Sequence, residues 1–178
     1  SLMEHVTLVR HNSYLFKGTV EENLLMGNPN ATQEEMTEAL KKVNLWEFLK
    51  GQEGLSTKLA EKGSNFSGGQ CQRLCIARAL LHDTEIYIFD EAASNIDVES
   101  EEIIMDVIRR LAETKTVLLI SHRLANVKKS HCIYVLKEGK IVEKGTHKEL
   151  LEQQGAYKEM YTTQKNLENY GLEQEASA

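Results

Sequence analysis

At 178 residues, with 41% hydrophobic and 27% charged side chains, the chain has the length and composition of one ordinary globular domain. Its net charge of -6 excludes the basic footprint that a nucleic-acid or anionic-membrane binder presents. No apolar run reaches the length of a bilayer span, so any membrane link is expected to come from elsewhere in a parent protein.

The chain opens on Val6-Thr7-Leu8-Val9, a short apolar strand pattern that begins almost at residue 1, an abrupt start that reads as a cut. From Thr19 to about Leu81 the pattern is helical. Thr19 with Glu22 and Thr32 with Glu35 are capping-box pairs, the second launching Met36, Leu40 and Val43 on one face. Gly27-Asn28-Pro29 breaks the chain between them, and the Gly-rich stretch from Gly51 to Gly69 reads as loop before a helix through Leu74, Ala77 and Leu81.

Past Asp83 strands and helices alternate, which predicts an α/β sheet. Ile86 to Phe89 and Thr116 to Ile120 are near-continuous apolar runs, expected as strands buried on both faces. The helix between them starts near Val98, carries acids at its positive end and Arg109 and Arg110 near its negative end, and buries Ile104, Val107, Ile108 and Leu111. A hairpin follows, Cys132 to Leu136 and Lys140 to Val142, turning through Glu138-Gly139, and Thr146 with Glu149 caps a final helix. Beyond Gln164 the polar, acidic tail is expected as frayed helix or disorder. Cys71, Cys75 and Cys132 lack metal-ligand spacing and no signal peptide precedes them, so a reducing compartment is expected, with Cys71 and Cys75 as buried small side chains.

Three segments carry chemistry. Ser67-Gly68-Gly69-Gln70 runs straight into a helix, where glycines permit close approach and free amides attract phosphate; the plainer alternative is Ser67 as an N-cap. The run Ile86 to Phe89 ends in Asp90-Glu91, placing two carboxylates at the carboxyl end of a strand, where α/β sheets bind ligands. One can hold Mg²⁺ through water and the other can take a proton from an attacking water. The run Thr116 to Ile120 ends in Ser121-His122, expected at the same sheet edge, where an imidazole can bond a terminal phosphate oxygen.

The order and spacing of these segments resemble the nucleotide-binding domain of ATP-binding cassette transporters, of the exporter type. Phe66 to Gln70 is similar to the signature loop, with Phe where Leu is usual. Ile86 to Glu91 resembles the Walker B strand with its catalytic Glu, Ser94-Asn95-Ile96-Asp97 the D-loop, and Ser121-His122-Arg123 the switch-histidine loop. Thr57 to Gly63 resembles the exporter X-loop, with Ala60 in place of Gly, and Phe16 to Asn23 and Gly145 to Tyr157 also match. Two departures stand out. The family's lid-loop (Q-loop) Gln falls on His11, and no Gly-x4-Gly-Lys-Ser/Thr phosphate loop is present, the Gly139-Lys140 pair reading instead as part of the hairpin.

The resemblance implies an α/β fold: a truncated P-loop NTPase (RecA-like) sheet lobe with an inserted α-helical subdomain carrying the signature motif. Residues 1–18 would form the lid-loop strand and loop, 19–82 the helical subdomain, 83–163 the α/β lobe with the Walker B, D- and switch-His loops, and 164–178 a polar tail. It further implies ATP and Mg²⁺, with Asp90 holding the metal through water and Glu91 and His122 catalytic. Ser67, Gly68, Gly69 and Gln70 would contact ATP held by a partner domain, with Ser94 and Asp97 at the interface and His11 in the lid loop. The implied partners are a second nucleotide-binding domain and membrane-spanning domains on the cytoplasmic side of a membrane, with no nucleic acid. Without a phosphate loop the isolated chain is expected to be inactive, and the strand Thr116 to Ile120 is expected to present an unpaired apolar edge that invites pairing with another chain. A soluble cassette ATPase acting on DNA or ribosomes, and a degenerate regulatory subunit suggested by His11, are the alternatives.

Overall fold

A computed structural model describes residues 4–175, with side chains described over 4–167. The chain divides into two compact units, Ser1–Ile120 and Ser121–Ala178.

The first unit is built around a three-stranded parallel sheet in the order β1 (Val6–Arg10), β4 (Ile86–Asp90), β5 (Thr116–Ile120). The register pairs Val6 with Ile86 and Ile86 with Thr116 at one end, Arg10 with Asp90 and Asp90 with Ile120 at the other. Between β1 and β4 lies the helical segment: β2 (Gly18–Thr19), α1 (Val20–Leu25), α2 (Gln33–Lys42), α3 (Trp46–Lys50), β3 (Lys58–Leu59) and α4 (Gly68–His82). Capping boxes start α1 at Thr19/Glu22 and α2 at Thr32/Glu35, each satisfying two otherwise orphaned amides, as the sequence predicts. The stretch from Gly51 to Gly69, expected as loop, is more ordered: Lys58–Leu59 pairs antiparallel with Gly18–Thr19, flanked by two 3₁₀ turns at Gly54–Ser56 and Glu61–Gly63. Two residues of strand are too short for any periodic signal. α5 (Val98–Leu111) crosses from β4 to β5 and buries Ile104, Val107 and Ile108 as predicted, while Leu111, expected on the same face, is only partly buried.

The expectation that both apolar strands are buried on two faces is corrected. In β4 only Tyr87 and Phe89 are fully buried, their rings stacked 6.2 Å apart, while β5 alternates exposed and half-buried positions. The core takes Val9, Phe89 and the half-buried Leu119 from one sheet face, together with Ile104 and Ile108 of α5. The opposite face aligns Leu8, Ile88 and Leu118, and Leu8 and Leu118 are about half exposed. An apolar run alone cannot tell one covered face from two.

Among the described residues β5 pairs with β4 alone, so its outer edge offers unpaired backbone groups flanked by exposed Leu118 and Ile120. Such edges template pairing with further strands. Light scattering of the chain at rising concentration should therefore show self-association, reduced by Leu118→Lys; a strictly monomeric wild type at high concentration would refute it.

The second unit contains α6 (Leu124–Val127), the hairpin β6 (Ile133–Lys137) with β7 (Lys140–Gly145), α7 (His147–Gln153) and α8 (Ala156–Glu175). Glu138 and Gly139 both adopt positive φ, the backbone a tight two-residue hairpin requires. The predicted Thr146/Glu149 capping box starts α7. The tail expected as frayed helix or disorder continues as helix to Glu175, its last three residues lying outside the described ones. Glu143 anchors α8 by accepting the Ala156 and Tyr157 amides, a cap supplied from β7 that no local pattern announces. His147, its pKa lowered first by burial and then by Lys128, sits with Nδ1 2.7 Å from the buried Tyr157 hydroxyl.

Candidate functional site

The carboxylates announced by the sequence lie where the strand ends. Asp90 closes β4, and Glu91 turns out of it in the left-handed region at φ 52, a conformation that costs a non-glycine residue of order 1–3 kcal/mol and persists only when its surroundings enforce it. Here they do. The Glu91 amide donates to Ile120 O at 3.0 Å, and its carbonyl accepts from Ser94 N at 3.0 Å and Ser94 Oγ at 2.8 Å. Ser94 thus has an assigned structural task inside this chain. The backbone twist re-aims Glu91 relative to the pleat of β4, a feature invisible in the residue order.

His11 is brought to the same end of the sheet. Its amide donates to Asp90 O at 3.2 Å, directly extending the β1–β4 ladder, and its side chain is exposed. Arg10 Nε lies 4.0 Å from Asp90 Oδ2, a loose and exposed pair that contributes little. The loop that follows is gripped by α4: Gln72 Nε2 donates to Arg10 O at 3.0 Å, Cys75 Sγ to Ser13 O at 3.6 Å, and Arg78 Nη2 to Tyr14 O at 2.9 Å. Asn23 holds the far end through Phe16 N, Phe16 O and Thr19 O. Burial pushes the Cys75 thiol up to about 11, and Cys71 is half-buried, so the expectation of two buried small side chains holds fully for Cys75 alone. Gln72, Cys75 and Arg78 fall at i, i+3 and i+6, one helix face. That spacing is the signal the sequence carries for this grip.

The turn Ser67 to Gln70 satisfies the plainer reading and keeps the other open. Ser67 is the N-cap of α4: its Oγ accepts Gln70 N at 3.2 Å, and Gln70 Oε1 accepts Ser67 N at 2.9 Å. The box occupies those two amides. Gly68 and Gly69 head the helix, where the first amides have no intrahelical acceptor and the macrodipole favours an anion.

Asp97 is the N-cap of α5, its Oδ1 accepting Ser100 N at 2.8 Å. Hydrogen bonds from the Ser100 backbone, then from the Ser100 hydroxyl, hold its carboxyl below the usual carboxylate range, with Arg73 adding to them. The turn and the Asp97 cap meet at Gly69. A methyl group there would lie 2.1 Å from Ser100 Oγ and 2.7 Å from Asp97 Oδ2, so glycine is what lets α4 and α5 approach. The sequence reading singled out Gly69 for a ligand and missed Ser100, which the N-cap spacing after Asp97 could have flagged.

His122 falls in the second unit, exposed, two residues past β5, with its carbonyl accepting from Gln164 Nε2. Gly139-Lys140 lies in the β6–β7 turn, as predicted, and offers no phosphate loop. Among the described residues no cluster of three metal-ligating side chains occurs, and no helix is long and apolar enough to cross a membrane. A lone strand-end carboxylate such as Asp90 still suits Mg²⁺, which keeps several waters and is commonly held by one or two carboxylates plus substrate phosphates.

A family model described as ABC transporter matches residues 1–94. The chain is 55% identical over 168 residues to a Haemophilus influenzae protein named an uncharacterized ABC transporter ATP-binding protein, covering 94% of this chain and 30% of that one. It is 44% identical over 165 residues to a Staphylococcus aureus protein named for multidrug export as an ATP-binding/permease protein, covering 92% of this chain and 28% of that one. Its fold is similar to the structure of a bacterial Atm1-family ABC exporter with ATP bound, at a TM-score of 0.86 and 34% identity over 92% of this chain and 29% of that one. The chain therefore spans under a third of the length of each.

Proposed function

This chain belongs to the ABC transporter family, and from that premise we propose that it is the C-terminal part of the ATP-binding, ATP-hydrolysing motor domain of an exporter that drives transport across a membrane. The observation that carries this reading is Glu91, held in a strained backbone at the end of β4 beside Asp90, in the unit that also packs the Ser67–Gln70 turn against the Asp97 cap.

In this reading ATP and Mg²⁺ bind where a complete domain supplies a phosphate loop, the metal serving to neutralise charge on the phosphates. Asp90 would hold the metal through water, Glu91 would take a proton from the attacking water, and His122 would donate a hydrogen bond to the terminal phosphate. His11 stands in the lid loop. Ser67, Gly68, Gly69 and Gln70 face ATP held by a second nucleotide-binding domain, and Ser94 and Asp97 lie toward that interface. Membrane-spanning domains would anchor the assembly on the cytoplasmic side.

Positioning and electrostatics dominate phosphoryl transfer, so the 178 residues alone, which contain no Gly-x4-Gly-Lys-Ser/Thr segment, should neither hold ATP usefully nor turn it over. Calorimetry with Mg-ATP, alongside a phosphate-release assay, is expected to show no saturable binding and no turnover. Micromolar binding with turnover that Glu91→Gln abolishes would overturn this.

A further inference from the structure

We propose that Gln72 is a positioning residue: its side-chain amide pins the Arg10–His11 corner to the first turns of α4, so that the carboxylate edge at Asp90 and the Ser67–Gln70 turn are carried on one frame. The consequence for ATP hydrolysis rests on the proposed function, in which that edge serves the chain's own nucleotide and the turn a partner's.

Gln72 is 4% exposed, and a buried carboxamide is costly unless it is hydrogen-bonded. Its Nε2 donates to Arg10 O at 3.0 Å, a bond between residues 62 positions apart. The receiving carbonyl is the last of β1 and already has local donors. Ser13 N reaches it at 3.3 Å and Ser13 Oγ at 2.9 Å, and the same hydroxyl accepts Arg10 N at 3.1 Å. These bonds close the corner on itself but do not fix where it lies against α4. The Gln72 bond does. Of the two other donors from α4, the Cys75 thiol is a weak one, 3.6 Å from Ser13 O, and Arg78 acts further along the loop, at Tyr14 O.

From the corner the carboxylates are one step away. Arg10 pairs with Asp90 in the β1–β4 register, and the His11 amide donates to Asp90 O at 3.2 Å. The distance toward the turn is as short. Gln72 lies four residues past Gly68, about 6 Å along a helix that rises 1.5 Å per residue. The first helical bond of that stretch, Cys71 N to Ser67 O at 2.9 Å, is in place. Coupling between sites is carried by rigid elements and the hydrogen bonds that join them. A displacement of the Gly68 and Gly69 amides therefore reaches Arg10 O through one turn of helix and one side-chain bond, and reaches Asp90 through one backbone bond more.

The first arm of the test uses the 178-residue chain without nucleotide and follows hydrogen exchange by NMR. In wild type the Gln72 carboxamide protons should exchange more slowly than those of the exposed Gln33. Equal rates would overturn the proposal, and this measurement needs no variant to fold. Gln72→Met keeps the length of the side chain and removes the donor. Ser13 still serves the Arg10 carbonyl, so the fold should persist. In this variant the His11 amide should exchange roughly 3- to 10-fold faster, beyond any change in the core amides of α5, which is the factor one net hydrogen bond supplies. A merely structural role would speed both sets equally. Equal acceleration, or an unchanged His11 rate in folded Gln72→Met, overturns the proposal.

The second arm uses a complete domain carrying a phosphate loop, where Gln72→Met should lower kcat roughly 10-fold with the KM for ATP little changed, because the reacting groups are misplaced while the nucleotide is still held. Glu91→Gln in the same domain separates two failures. If it abolishes turnover and Gln72→Met leaves kcat unchanged, the role of Gln72 in hydrolysis is overturned. If neither change affects turnover, the proposed function falls with it.

Discussion

In a complete domain carrying this sequence, Glu91→Gln is expected to cut ATP turnover by roughly 10²–10⁴-fold while nucleotide affinity is retained. The substitution is nearly isosteric, so the left-handed turn, held by Ile120 O and by Ser94 N and Oγ, should persist. What is lost is the ability to accept a proton, because a carboxamide at neutral pH is no base. Steady-state turnover, with nucleotide binding measured separately, distinguishes this from a binding defect. Unchanged turnover would remove Glu91 from the chemistry and leave its strained backbone without the function inferred for it.

Gly69→Ala should damage stability and function together. The added methyl would meet Ser100 Oγ at 2.1 Å and Ser100 Cβ at 2.6 Å, distances that force α4 and α5 apart. Overpacking of this kind costs about 1–3 kcal/mol, a large share of the stability of a single domain. Denaturant unfolding of the chain should show that loss, and a complete domain should lose turnover because the Gly68 and Gly69 amides are displaced. The geometry also fixes how a second change behaves. Ser100→Gly removes both of the nearest atoms, so the double variant should be more stable than the sum of the single costs, a coupling that a double-mutant cycle reads directly. Strict additivity would show that the helices do not meet at Gly69.

What the residue order revealed was local. The boxes at Thr19/Glu22, Thr32/Glu35 and Thr146/Glu149 each involve four consecutive residues, and all three form as read. The strand ending in Asp90 was legible for the same reason. Burial was not, because whether Leu118 is covered depends on what packs across β5, and a run of five apolar residues is the same in either case. The left-handed backbone of Glu91 escaped notice because Glu carries no propensity for it; bonds to Ile120 and Ser94 impose it. Ser100 and Glu143 were missed because each serves a second partner distant in sequence, Gly69 in one case and the start of α8 in the other.

The grip of α4 on the loop after β1 has a consequence for how these positions can change. Gln72, Cys75 and Arg78 reach the loop through its carbonyl oxygens, of Arg10, Ser13 and Tyr14, and every amino acid carries a carbonyl. The grip from α4 therefore does not depend on which side chains the loop displays, while Ser13, through its hydroxyl on the Arg10 backbone, and the buried Leu15 fix the loop from within. His11, standing where the family resemblance places glutamine, occupies such a displayed position: its amide bonds Asp90 O and its imidazole is exposed. Substitutions at such a displayed position can retune chemistry at the carboxylate edge while the path of the loop stays fixed, whereas substitutions at positions 72, 75 or 78 move the path itself. An exposed loop position such as His11 is thus open to change, whereas the helix positions that set the frame are not.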